Sequence, residues 1–73
     1  MSNNDRAKIN WTVVCVNEFA RSKSLNLRTA FQYLNQFGGI SFLTEHYEAE
    51  HMLSLEDAID DLDLICQQNG GVL

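Results

Sequence analysis

EHYEAEHMLSLEDAIDDLD, Glu45 to Asp63, holds both histidines, eight of the ten acids and the clearest helix start in this 73-residue chain. Ser54 stands just before Leu55, Glu56 and Asp57. Its hydroxyl can accept from first-turn amides while the carboxylate three residues on reaches back, a capping box with Asp in place of the usual Glu. The apolar residues that follow, Leu55, Ala58, Ile59, Leu62, Ile65 and Cys66, recur at helical spacing and form one stripe. Glu56, Asp57, Asp60, Asp61 and Asp63 occupy the remaining surface. Acid in the first turn suits the positive end of the helix dipole, and Gly70 with Gly71 stops the helix after Asn69. The stretch predicts a helix over 55–69 and sets the frame for an all-α fold.

Working back toward the N-terminus, three more helices are expected. Asn3 or Asn4 can cap a first helix over 5–23, with residues 1–4 frayed. Ile9, Val13, Val16 and Ala20 line one face of it, Phe19 flanks that face, and Trp11, Val14 and Cys15 widen the stripe. The run WTVVCV, residues 11–16, is β-branched and aromatic enough to suit a buried strand. Polar residues Asn17, Glu18, Arg21 and Ser22 nevertheless continue the 3.6-residue period, and a lone strand has nothing with which to pair its backbone groups. Ser24 to Asn26 form a turn, with Asn26 capping a second helix over 27–37 whose apolar face is Leu27, Ala30, Phe31, Leu34 and Phe37. Gly38 and Gly39 end it. A third helix over 41–48 buries Ile40, Leu43 and Tyr47, with Phe42 at its edge. Residues 48–53 read as a short extension followed by a loop. The expected architecture is one compact bundle of about four helices spanning residues 1–73.

Composition narrows the function classes. A chain of this length buries only about 60% of its unfolded surface, which leaves little room for a large catalytic cleft. Cys15 and Cys66 each sit inside a periodic apolar segment, so they read as small core residues of a reducing cytoplasm rather than a disulfide framework. There is no signal-peptide pattern and no membrane-length apolar run. All five cations, Arg6, Lys8, Arg21, Lys23 and Arg28, precede residue 45, where they face only Asp5 and Glu18 for a net charge of +3. From residue 45 onward there are eight acids and no Lys or Arg. An acidic lobe disfavours DNA and anionic lipid and favours a protein partner with a basic surface. The same acids also serve simply to keep a small protein solvated.

Catalytic and metal signals are weak. His46 and His51, accompanied by Glu45, Glu48 and Glu50, invite a metal reading, but their spacing of five residues points them apart on a helix, whereas paired ligands sit three or four apart. Tyr47 and His51 are four apart and share a face if the third helix extends that far, with the Tyr47 hydroxyl satisfied inside and His51 bonded near the last helix. Asp57 with Asp60 or Asp61 has cation-binding spacing, yet no glycine-containing calcium loop accompanies it. No nucleophile elbow, phosphate loop or arguable Cys-His pair is present. A helix-turn-helix around Gly38 and Gly39 would present residues 41–47, which carry no basic group for phosphate, so nucleic acid is not an expected partner. No cofactor is expected.

Taken in order, Glu18-Phe19-Ala20, Ala30-Phe31 with Leu34, Phe37-Gly38-Gly39-Ile40, Phe42-Leu43, His46-Tyr47, His51 and Leu55-Glu56-Asp57-Ala58-Ile59-Asp60-Asp61-Leu62 cover nearly the whole chain. In that order and spacing the sequence resembles a family of small bacterial proteins of unknown function. Members of that family are often encoded beside a larger protein resembling ADP-ribosyltransferase toxins. The resemblance implies an antitoxin-like or accessory role and brings no catalytic residues with it. The expected function is a non-enzymatic interaction module whose candidate contact residues are Glu48, Glu50, Glu56, Asp57, Asp60 and Asp61. Two alternatives stand beside it. One is a self-associating structural protein, a homodimer joined through the apolar girdle of the first helix including Trp11. The other is a small metal- or ligand-binding protein using His46, Tyr47 and His51.

Overall fold

In the computed structural model, which describes residues 3–73, five helices and no strand appear among the described residues. They are α1 (Asn3–Ser22), α2 (Leu27–Gln36), α3 (Gly39–Glu45), α4 (Tyr47–Glu50) and α5 (Leu55–Gln68). The all-α bundle is as the sequence predicts, with one helix more, because the expected 41–48 segment is divided in two. His46, with φ −109° and ψ 25°, closes α3 and opens the single turn of α4. Helix α3 also begins two residues early. Gly38, at φ 81°, ends the path of α2 and its carbonyl accepts at once from Phe42, so Gly39 is already helical.

The N-terminal expectation is corrected in part. Asn3 and Asn4 lie inside α1 rather than capping or fraying ahead of it, while Met1 and Ser2 fall outside the described residues. At the other two caps the side-chain acceptor takes up its place as read. The Asn26 side chain accepts from the Thr29 amide at 2.8 Å and the Ser54 hydroxyl from the Asp57 amide at 3.1 Å, each satisfying a first-turn N–H that has no partner within its helix.

Cys15, Phe19, Leu34, Leu43, Leu62 and Cys66 are completely buried, with Val16, Ala20, Ala30, Ala58 and Ile59 around them. Helix α1 contributes Cys15, Val16, Phe19 and Ala20 and packs against α2, α3 and α5. Its buried stripe is rotated from the expected one. Ile9 and Val13, read as core, are exposed, and Phe19 and Cys15 take the centre. On α2, Leu27 and Phe31 are likewise exposed, while Ala30 and Leu34 are buried and Tyr33 is half-buried with its ring stacked 5.8 Å from Phe19. The α5 stripe of Ala58, Ile59, Leu62 and Cys66 is buried as expected.

Helices α1 and α5 end alike by different means. Leu25 N–H reaches the Ala20 carbonyl at 2.8 Å across Ser24, and Gly71 N–H reaches the Cys66 carbonyl at 2.8 Å across Gly70. Both are Schellman closures with the middle residue left-handed, φ 56° at Ser24 and 98° at Gly70. Glycine accepts that conformation freely and serine does not. Ser24→Gly is expected to raise stability by about 1 kcal/mol, or roughly 4–8 °C in melting temperature. Gly38→Ala should lower it by about 1–2 kcal/mol, since φ is positive there and a Cβ would meet Asn69 Nδ2 at 2.8 Å. Thermal denaturation followed by circular dichroism checks both signs.

Candidate functional site

The acids of the second half do not form one surface. Glu48, Glu56, Asp57 and Asp60 are exposed, Asp61 is half-buried, and Glu50 is buried at 6% exposure. Along α5 the stripe that enters the core takes positions 58, 59, 62 and 66, which leaves 56, 57 and 60 on the outer side. Among the described residues none of these three forms an ion pair. Lys23, the cation that crosses to α5, lies 3.0 Å from Asp63 and sits over the Phe19 ring, and Arg21 is paired with Glu18 on its own helix. Those two pairs line a cleft of about 330 Å³ together with Glu56 and Asp60.

Glu50 is placed by the break at His46. The one-turn α4 redirects the chain so that Glu50, its last residue, points under α5. Its carboxyl meets that of Asp61, and both line a cleft of about 320 Å³ whose other walls are Phe42, Leu64 and Ile65. No hydrogen-bond donor reaches Glu50 Oε1, which is itself buried. Burial first, and then the hydrogen bond and charge of Asp61, push the Glu50 carboxyl up to about 7. The influence extends to α1, where burial and then the charge of Glu50 push the Cys15 thiol up to about 12. The Cys66 thiol is also raised, by burial and by Asp63, against a hydrogen bond with the Gly39 backbone. Both thiols are free and buried, held in the protonated form that is least reactive.

The histidines occupy separate settings. His46 lies tilted against Phe42 at 5.1 Å, and His51 stacks on Tyr47 at 4.3 Å with the rings 8° from parallel. His51 Nδ1 also lies 2.6 Å from the Tyr47 carbonyl oxygen, an i−4 contact that α4 makes available by continuing past Tyr47. The expected sharing of a face by Tyr47 and His51 is observed. Tyr47 is held through its ring rather than through a hydroxyl bond, and His51 is exposed rather than bonded to α5. His46 and Tyr47 share a shallow cleft with Lys8, Glu45 and Glu48, which His51 does not line. Among the described residues no three His, Cys, Asp or Glu side chains cluster as metal ligands.

Two features had no clear sequence signal. The Glu50–Asp61 contact joins residues eleven apart, across the turn at 51–54 that links α4 to α5. An apolar groove between α1 and α2, about 280 Å³, is lined by Val13, Val16, Leu27 and Phe31 with Thr12, Asn17 and Arg28. Val13, Val16, Leu27 and Phe31 read as core in the sequence, because periodicity marks an apolar stripe without telling which part of it a neighbour covers.

Residues 10–69 match the family described as protein of unknown function DUF3791. The chain belongs to this family. Comparison with curated proteins and with solved structures returns no match. In this DUF3791 member the matched span begins within α1 and runs just past α5, so it includes both the Glu50–Asp61 cleft and the exposed acids of α5. No described helix is long and apolar enough to cross a membrane.

The raised Glu50 carboxyl fixes the sign of a pH effect. The folded chain keeps the Glu50 proton up to about pH 7, whereas the unfolded chain releases it near the ordinary 4.5. The contribution of this group is therefore most favourable below about pH 4.5 and is lost as pH rises to about 7. Glu50→Gln cannot ionise and still offers an N–H to Asp61. Its melting temperature should exceed that of the wild type at about pH 8, and the difference should shrink steadily toward about pH 4.5. A difference independent of pH would exclude this assignment.

Proposed function

We propose that this DUF3791 chain is a non-enzymatic protein-interaction module whose outer α5 surface meets a partner with a basic surface. The observation that carries the reading is the exposed trio Glu56, Asp57 and Asp60, with which no described Lys or Arg forms an ion pair. Uncompensated carboxylates on one helix face raise the encounter rate with a basic partner and make it sensitive to salt. Glu48 extends the same acidic character on α4. The antitoxin-like role implied by the resemblance to toxin-linked small proteins is consistent with such a surface, since a basic effector would be recognised by charge.

The test is co-expression with the product of the adjacent gene, followed by purification and mass determination of the complex. A stoichiometric complex is expected from the wild-type chain. In the variant Glu56→Lys, Asp57→Lys, Asp60→Lys the helical fold should persist and affinity should fall by at least about tenfold, with the wild-type affinity declining as salt is raised. Undiminished binding by a folded triple variant would remove the acidic surface from the interaction.

A second reading, self-association, draws on the α1–α2 groove. Val13 is 52% exposed, Leu27 53% and Phe31 46%. Trp11, expected as part of an apolar girdle on the first helix, is half-buried against the core, so Val13, Leu27 and Phe31 would carry such an interface. Phe31→Ser should leave folding intact because the ring is half outside the core. It should abolish any concentration-dependent mass seen for the wild type by analytical ultracentrifugation.

A further inference from the structure

Glu50 sits in surroundings that the fold leaves electrostatically unbalanced. It is nine-tenths buried, no donor reaches its Oε1, and the polar side chain that meets it is a second carboxyl, Asp61. Two carboxylates in contact repel unless a proton or a cation lies between them. Among the described residues no Lys or Arg lines the cleft or pairs with either acid, and the one that reaches α5 is bound to Asp63. The walls above the acids are Phe42, Leu64 and Ile65, and Leu64 is 53% exposed, so the cleft opens to solvent through an apolar mouth. An apolar entrance with an acidic floor suits a cation carried on an aliphatic stem. The stem displaces water from Phe42, Leu64 and Ile65 while the head donates to both carboxylates. A divalent ion suits it less well, because it would keep several waters in its shell and Phe42, Leu64 and Ile65 offer those waters no hydrogen-bond partner.

We propose that the cleft between α3, α4 and α5 binds a primary alkylammonium group, with Glu50 and Asp61 accepting from its N–H donors and Phe42, Leu64 and Ile65 holding its stem. The same chemistry is carried by a lysine side chain of a partner and by a free alkylamine. This site does not depend on the outer α5 acids, and the variants that test the two are different. The groups facing Glu50 are Asp61 from α5, Cys15 from α1 and the uncharged Phe42 ring from α3. Binding therefore strengthens as pH rises through the range in which Glu50 gives up its proton.

The experiment is an amide NMR titration of the full chain at about pH 8 with n-butylammonium chloride, with n-butanol as the uncharged counterpart of similar shape. Shifts confined to the neighbourhoods of residues 42, 50, 61, 64 and 65 are expected with the ammonium ion and not with the alcohol. Glu50→Gln should weaken the ammonium effect at least about tenfold, and so should Asp61→Asn, which serves if the first variant does not fold. A capped Gly-Lys-Gly peptide separates the sources. Tighter binding of the peptide than of butylammonium assigns the site to a partner's lysine, and equal binding assigns it to free amines. Equal shifts with butanol, shifts spread evenly along α5, or unchanged ammonium binding in folded variants would overturn the proposal.

Discussion

Burial of Phe19 with Cys15 on one side of α1 is the constraint on which the other elements depend. A chain this small has one core, and its fully buried large side chains come from α1, α2, α3 and α5. Because α1 touches α2, α3 and α5, its rotation decides which apolar residues of its neighbours are covered. With Phe19 and Cys15 inward, Leu34, Leu43, Leu62 and Cys66 complete the core, while Ile9, Val13, Leu27 and Phe31 are left at the surface. The exposed α1–α2 groove and the buried core are two consequences of one helix orientation.

The junction of α2 with α3 transmits that arrangement to the candidate site. Gly38 and Gly39 allow the chain to reverse where Asn69 Nδ2 donates to the Phe37 carbonyl at 2.8 Å and where Leu34 packs close against Gly39. Those contacts lay α3 beside α5, and after the break at His46 α4 packs on α3, with its last residue, Glu50, lining a cleft shared with α5. Glu50 arrives at Asp61 because the preceding backbone is tied at both ends. An acid that alternation and charge count would put in solvent is thereby buried, with its carboxyl shifted to about 7. Such a group is costly to bury unless something compensates it, which is why the cleft rather than the more numerous surface acids is the chemically distinctive place in the molecule.

The exposed acids and the buried pair differ in how they can act. Glu56, Asp57 and Asp60 are solvated, so they bias encounter over distances set by salt. Glu50 and Asp61 act only on a group that enters the cleft, and there the low polarity of Phe42, Leu64 and Ile65 strengthens any charge contact made. The histidines belong to neither. His46 and His51 are each engaged with the ring four residues earlier, Phe42 and Tyr47 respectively.

Local chemistry carried much of the fold into view from the sequence. Asn26 and Ser54 cap their helices as read, the glycine pairs end α2 and α5, and the α5 stripe is buried, because caps and 3.6-residue periodicity involve residues within one or two turns of each other. Ser24 ending α1 in a left-handed conformation, the division of 41–48 at His46, and the exposure of Val13, Leu27 and Phe31 were not legible, since each depends on which neighbour covers which face. The candidate site divides along the same line. Sequence alone determined that the last helix is acidic and that no cation lies near it in the chain, because charge is a property of composition. Only the tertiary structure decided that Glu50 leaves that surface and meets Asp61 in an apolar cleft, because a contact across a hinge between two helices follows from packing and has no period of its own.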